Sequence, residues 1–299
     1  MSDRNKCLVF GANGYIGRHL VKFLKDGEFS IKASDIQDES VGTNVDYFKT
    51  DISNVENLKG IDWDVDYVFM FAGITGTTKS FENYKQYIQI NEVGLLNVLD
   101  EIRRSPHRPR IIFPSTRLVY KGSSSSLKEE DPKETKTIYA VNKIACENIL
   151  KAYSGSFNIP YTIYRICVPY DDHFEAEYSY GTIGFFLNQA KNKGTINLFG
   201  DGSLRRTFTS IEDVCMQIIN SCQNEISINQ VYNIIGEAFS LKEITTLIAE
   251  RYKSSITYSE WPEEHLRIES GDTVFNSGKI ETEFNLNLLN SFKSWLAHI

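Results

Sequence analysis

Short runs of β-branched and aromatic residues alternate along this chain with stretches whose apolar positions recur at helical spacing. Runs at 6–10, 30–35, 46–49, 65–71, 110–114 and 160–166 read as strands, and 14–25, 83–103 and 138–153 read as helices. Strand and helix taking turns in this way predict an α/β fold built on a doubly wound parallel sheet. The run Val65-Asp66-Tyr67-Val68-Phe69-Met70-Phe71 is apolar almost throughout, as expected of a strand covered on both faces. After residue 166 the rhythm changes. An acidic and aromatic loop at 171–180, a helical stretch at 183–191 and a glycine turn at Gly200-Asp201-Gly202 read as a smaller α/β lobe. The expected domains are therefore 1–167, with return segments near 207–235, and a second lobe from 168–206 and 236–299. The stretch 121–136, with four consecutive serines and then Glu129-Glu130-Asp131-Pro132, has the chemistry of a solvated loop.

Composition narrows the classes of partner. The chain of 299 residues carries a formal charge of −7 and no long basic run, so it lacks the electrostatic footprint of a nucleic-acid reader. Its cysteines, Cys7, Cys146, Cys167, Cys215 and Cys222, are scattered, with no spacing that suits zinc or a disulfide framework. Reduced cytoplasmic thiols and no metal centre are the expectation. The polar opening residues lack the pattern of a signal peptide, and no stretch is long and apolar enough to span a bilayer, so no membrane partner is expected.

The first strand ends in Gly11-Ala12-Asn13-Gly14-Tyr15-Ile16-Gly17, and a helical face follows at His19, Leu20, Phe23 and Leu24. Spaced glycines also suit an ordinary strand-to-helix turn, but here each has a use. Gly11 permits the tight turn, Gly14 lets backbone approach a pyrophosphate, and Gly17 lets the helix pack on the sheet, with the helix N-terminus facing the phosphates. The second strand ends at Asp35, where a carboxylate accepts from ribose hydroxyls and repels a 2′-phosphate, which favours NAD over NADP. Asp51 and Ile52, after the third strand, are placed to meet the adenine, although Asp in a loop is also a common turn former.

With its GxxGxxG spacing the sequence resembles the extended short-chain dehydrogenase/reductases, the NAD-dependent epimerase/dehydratase family acting on nucleotide sugars, over nearly the whole chain. That resemblance implies a Rossmann-type fold with a C-terminal nucleotide-sugar lobe. It also implies that Phe71-Ala72-Gly73 lines the cofactor and that Asn91, on the following helix, flanks it. Further dinucleotide contacts implied in the same way come from Asn13, Tyr15, Ile16, Ile36, Ser115 and Val168, and a sugar contact from Thr75.

Tyr139-Ala140-Val141-Asn142-Lys143 opens a helix, and four-residue spacing puts phenol and ammonium on one face. A fixed cation beside a phenol favours phenolate, which makes Tyr139 able to take the proton of a sugar hydroxyl. YxxxK alone is common in amphipathic helices. Its partner here is Phe113-Pro114-Ser115-Thr116-Arg117-Leu118-Val119-Tyr120, which resembles the family's Ser-Ser/Thr-x-x-Val-Tyr segment and puts Thr116 on the catalytic hydroxyl. Sugar 4,6-dehydratases of this family carry Asp-Glu directly after that Thr. This chain has Arg117 and Leu118, neither of which can serve as the acid/base pair, so dehydration is disfavoured.

Further along, Gly200-Asp201-Gly202-Ser203-Leu204-Arg205-Arg206 resembles the family's GDGxxxR segment and implies that Arg206 binds the nucleotide diphosphate, leaving Arg205 to a salt bridge. Gly271-Asp272 resembles the late pair that meets the nucleoside ribose, but Glu269 stands where an Arg is usual, with Arg267 nearby as a substitute. Val168 replaces an Asn of the family's RxxN segment beginning at Arg165. His173 falls where GDP-fucose synthases place an active-site His, though a lone loop His is more often only solvated. The leading expectation is an epimerase inverting C4 of a nucleotide-linked hexose through a transient 4-keto sugar. The alternatives are a 4-ketoreductase or 4-dehydrogenase of a nucleotide-linked deoxysugar and, from another class, an inactive dinucleotide-binding regulator. A nucleotide-diphosphate sugar is the implied partner. A homodimer is expected through helices 83–103 and 138–153, with Ile88, Leu95, Leu99, Ile144 and Leu150 available.

Overall fold

In the computed structural model of the chain, which describes residues 5–27, 29–42, 44–174 and 180–299, β1 (Lys6–Phe10) is buried over its last four residues and delivers α1 (Tyr15–Asp26) through the glycine turn. β2 (Ser30–Asp35), β3 (Asp46–Lys49), β4 (Tyr67–Met70), β5 (Arg110–Thr116) and β6 (Tyr161–Ile166) follow. The remaining strands are β7 (Val168–Tyr170), β8 (Thr195–Phe199), β9 (Arg205–Ser210), β10 (Gln230–Asn233), β11 (Glu237–Ser240) and β12 (Ser255–Ser259). Seven of them form the main sheet in the order β10-β6-β5-β4-β1-β2-β3. β1 pairs in parallel with β2 on one side and β4 on the other. Strand order thus reverses between β1 and β4, and at such a switch point the carboxyl ends of the strands open a crevice. The expected doubly wound sheet is the fold observed.

The chain divides into two compact units. The first comprises Met1–Val119, Thr137–Arg165 and Ile218–Tyr232, and the second Tyr120–Lys136, Ile166–Gln217 and Asn233–Ile299. In the first, alternate strand residues Leu8, Phe10, Val68, Met70, Ile111 and Phe113 meet Leu95, Val98, Leu99 and Ile102 of α4 (Gly94–Arg104) and Cys146 and Leu150 of α5 (Ile138–Phe157). Burying each such aliphatic side chain is worth roughly 1.5–3 kcal/mol, which is why the period-2 and period-3.6 patterns dictate the layers. α5 starts at Thr137, whose hydroxyl oxygen accepts from the Ala140 N–H, and ends at Asn158 in the left-handed region, φ 56°.

The stretch expected as one helix, 83–103, is helical throughout from Tyr84 to Arg104, but it is not uniformly α. α2 (Lys79–Glu82) and α3 (Tyr84–Tyr87) precede a π-helical turn (Ile88–Val93) before α4 begins. Tertiary contacts hold this turn: the Asn91 side chain is occupied with Ile74, and the Asn91 carbonyl accepts from the Cys146 thiol at 3.2 Å.

In the second unit β9 lies between β11 and β7, and β8 pairs in parallel with β12. The segment 121–136 belongs here and is more than a solvated loop. Leu127 bridges Phe275 at 1% exposure, and a Cβ on Gly122 would stand 1.8 Å from the Ser270 carbonyl oxygen. Of the acidic loop expected at 171–180, residues 175–179 lie outside the described residues, as do 1–4. Among the described residues no helix is long and apolar enough to cross a membrane.

Candidate active site

Gly11 holds φ +82°, and a Cβ there would sit 2.3 Å from the Ala72 nitrogen; one on Gly17 would meet the Gly11 carbonyl oxygen at 1.9 Å. Close packing therefore requires glycine at both positions. Gly14 is needed differently. It is the exposed N-cap of α1 with no capping side chain, which leaves first-turn N–H groups available to an anion. Beside it opens a cavity of about 410 Å³ lined by Gly11, Asn13, Gly14, Asp35, Ile36, Asp51, Ile52, Phe71, Ala72 and Gly73. Ser34 and Thr50 also line it, and their buried hydroxyls have no hydrogen-bond partner among the described residues. A buried hydroxyl without a partner is costly, so these atoms suit a polar ligand or ordered water. The Asp35 carboxylate accepts from the Asn13 N–H at 2.9 Å and the Ile36 N–H at 2.7 Å, which fixes its direction at the cavity wall. A helix N-terminus for a pyrophosphate and a fixed carboxylate for a ribose together fit a dinucleotide.

Other residues expected around the cofactor are not among those lining this cavity. Tyr15 and Ile16 lie on the first turn of α1 and so carry its free N–H groups, although they do not line the cavity. Asn91 is 6% exposed and clamps the chain after β4: its Oδ1 accepts from the Ile74 N–H at 2.9 Å, and its Nδ2 donates to the Ile74 carbonyl at 3.1 Å. The Thr75 carbonyl accepts from the Tyr87 hydroxyl at 2.8 Å. Sequence reasoning missed a latch around Asn13. Its Nδ2 donates to Gln37 Oε1 and the Glu39 carbonyl, both at 2.9 Å, its Oδ1 accepts from the Val41 N–H at 2.8 Å, and Tyr47 donates to the Gln37 carbonyl at 2.6 Å. No spacing rule marks such a loop.

Thr116, Tyr139 and Lys143 are each 8% exposed. The Lys143 ammonium donates to the Pro114 carbonyl at 2.8 Å, which ties α5 to the end of β5 two residues before Thr116. It also lies 4.4 Å from the Phe113 ring centre and 6.0 Å from that of Tyr139. Burial pulls Lys143 down to about 8, against an upward push from Cys146 and Glu147. The Thr116 hydroxyl oxygen accepts weakly from the Leu118 N–H at 3.3 Å. Ser115, expected at the cofactor, turns its proton inward instead, donating to Glu147 Oε1 at 2.6 Å. That carboxylate pairs with Arg165, Nε to Oε1 at 3.0 Å and Nη2 to Oε2 at 2.6 Å. Glu147 was legible only as the next turn of the Lys143 face.

In the second unit the expected ligands already have partners. Arg206 has a side chain only 3% exposed, and its guanidinium donates to Glu269 Oε1 at 2.6 Å, the Gly271 carbonyl at 2.6 Å and the Arg205 carbonyl at 2.8 Å. The salt bridge expected of Arg205 is thus made by Arg206, because Glu269 stands beside it. Asp272 accepts from the Arg205 N–H at 2.9 Å, and Arg267 pairs with Glu263 on an exposed helix. Val168 is buried in β7 opposite Phe208 of β9. His173 Nε2 lies 3.3 Å from Asp171 Oδ2, and Asp171 is held at φ +80°. Burial pushes the Asp171 carboxyl up, but the neighbouring His173 outweighs it and holds the carboxyl below its usual range.

The fold and the glycine-bounded cavity define a dinucleotide-binding protein of Rossmann type. A family model describing the NAD dependent epimerase/dehydratase family matches residues 7–234, and the chain belongs to that family, whose members are NAD-dependent enzymes. A UDP-glucuronate 4-epimerase of Thermodesulfobacterium geofontis is 26% identical over 265 residues, covering 79% of this chain and 81% of the relative. A solved UDP-glucose 4-epimerase of Thermus thermophilus in complex with NAD superposes with a TM-score of 0.84 at 20% identity, covering 97% of this chain and 96% of that one. A dTDP-glucose 4,6-dehydratase of Streptomyces venezuelae does so with a TM-score of 0.85 at 22% identity, covering 98% and 95%. Epimerase and dehydratase share this fold equally well, so reaction type has to be argued from the site.

Proposed function

We propose that this enzyme epimerises C4 of a nucleotide-diphosphate hexose through a transient 4-keto sugar. The observation that carries the reading is the Lys143 to Pro114 bond, which fixes the Tyr139 and Lys143 face of α5 against the end of β5 next to Thr116. Tyr139 takes the proton of the sugar 4-hydroxyl, Thr116 donates to the same oxygen, and Lys143 favours the phenolate. NAD, held by Gly11, Gly14, Gly17 and Asp35, supplies when bound a hydride acceptor and donor at that carbon. Inversion follows if the keto sugar presents its other face before the hydride returns. Arg117 and Leu118 stand where elimination of water would need an acid and a base, which supports epimerisation over dehydration.

A second reading, reduction of a nucleotide-linked 4-keto sugar, draws on His173, which stands 3.3 Å from Asp171 where the chain departs from the family pattern. Purification without added cofactor, identification of the extracted dinucleotide and incubation with a panel of nucleotide sugars separate the two. Epimer formation without external cofactor is expected. An empty protein that reduces 4-keto sugars only with stoichiometric NADH or NADPH would replace the first reading by the second.

The homodimer belongs to the same proposal, with a change of residues. Leu95, Leu99 and Leu150 are buried in the core and Ile144 is only partly exposed, so of the apolar residues expected at the interface only Ile88 is fully available. Phe81, Tyr84 and Val141 join it as exposed apolar side chains on α2, α3 and α5. Light scattering at micromolar concentration should give twice the chain mass, and a monomer would remove the interface.

A further inference from the structure

A fully buried ion pair is expensive, and an apolar pair of similar volume would serve packing as well or better. Glu147 and Arg165 form such a pair, with side chains 0% and 3% exposed. Glu147 lies one helical turn beyond Lys143 on the buried face of α5. Its Oε1 accepts from Arg165 and also from Ser115, which stands between Thr116 and the Pro114 whose carbonyl holds Lys143 at 2.8 Å. One carboxylate thus joins α5, the end of β5 and the end of β6.

The groups around the Lys143 ammonium can be named. β5 brings the Pro114 carbonyl, the Phe113 ring and Ser115. α5 brings Tyr139, Cys146 and Glu147; behind them Arg165 of β6 reaches Glu147, and Glu92 of the π-helical turn reaches Cys146. Burial pushes the Cys146 thiol up to about 12, so it carries no charge at neutral pH. Glu147 is therefore the anion that opposes the desolvation of Lys143, and Arg165 holds it in place while donating to both of its oxygens.

We propose that Glu147, locked by Arg165 and Ser115, is a positioning residue that keeps the Lys143 ammonium charged and aligns the end of β5 for Thr116 and Tyr139. This rests on reading Thr116, Tyr139 and Lys143 as the reacting groups. Carbon-13 labelling of lysine in the full chain, with Lys143 assigned by its loss in Lys143→Met, allows its titration to be followed by NMR. In Glu147→Gln the Lys143 midpoint should fall by about one pH unit or more, since the anion that opposes its desolvation and balances Arg165 is gone. The alkaline fall in turnover should move toward acid by the same amount. Glu147→Asp keeps the charge and should keep the midpoint while lowering turnover, and Glu147→Gln with Arg165→Gln should bring the midpoint back toward the wild-type value. A Lys143 midpoint unchanged in Glu147→Gln would overturn the proposal, even if turnover dropped, because only packing would then be lost. Near-normal turnover of Lys143→Met would instead sink the reading of the triad and leave the NMR comparison standing.

Discussion

The two units use charged residues in opposite ways. In the first, Asp35 is aimed by two backbone N–H groups at the wall of an open cavity, and Lys143 reaches the end of β5 with one carbonyl as its nearest partner. In the second, the guanidinium of Arg206 is enclosed by Glu269 and two carbonyls, and the Asp272 carboxylate takes a backbone N–H. A motif tells where a charged group stands in the chain. What the group can do depends on who else is supplied, and Glu269, a single carboxylate two residues before Gly271, turns a candidate phosphate ligand into half of an internal ion pair.

The contrast breaks most directly at Tyr139. Tyr139→Phe should leave NAD binding intact and lower turnover by roughly 10²–10⁴-fold, because the ring stays and only the proton-transfer group goes. Near-normal turnover alongside normal NAD titration would show the first unit's polar groups to be as structural as those of the second. Arg206→Ala should act chiefly on stability, by about 3 kcal/mol, since it strands the Glu269 carboxylate in a mostly buried site. A raised KM for nucleotide-diphosphate sugars with an unchanged Tm would mean that Glu269 gives way to substrate phosphate, and the two units would be alike after all.

Lys143 sharpens the comparison through pH. Its folded-state value of about 8 lies below the ordinary 10.5, so between those limits the unfolded chain binds more protons. The penalty for its burial is present in full below pH 8 and is relieved as pH rises toward 10.5. Wild-type stability relative to Lys143→Met should rise across that window by up to about 3 kcal/mol, measured by denaturant unfolding. A flat difference would mean that the ammonium is not desolvated. The smallest effect is expected at Asp35. Asp35→Asn should narrow the preference for NAD over NADP on the order of tenfold, about 1.4 kcal/mol, in parallel titrations. An unchanged ratio would transfer the selectivity to the loop latched by Asn13.

Legibility in the sequence followed the range of the forces involved. β2 and β3 fall where alternation and flanking turns set them, because local pattern alone decides a short strand in a covered sheet. The glycine turn was legible for the same reason. The π turn within the helix at 83–103 was not, since it depends on Ile52, Ile74 and Cys146, which come from other parts of the chain. Thr116, Tyr139 and Lys143 could be singled out by spacing and resemblance. The inward turn of Ser115 needed Glu147, 32 residues away. The pairing of Arg206 needed Glu269, 63 residues away, a partner that the sequence displayed only as a departure from pattern.

The π-helical turn at Ile88–Val93 has a consequence for how this segment tolerates insertion and deletion. A π turn holds one residue more than the α turn it replaces, and each residue of helix carries about 100° of rotation. Removing one residue near Gln89 would let the segment relax to an uninterrupted helix and would swing α3 around its axis. Tyr87 would leave the Thr75 carbonyl, and Ile88 would turn away from the face it shares with Tyr84. This stretch therefore counts residues more strictly than it reads their identities: conservative substitutions at 88–90 should be absorbed where a one-residue deletion is not.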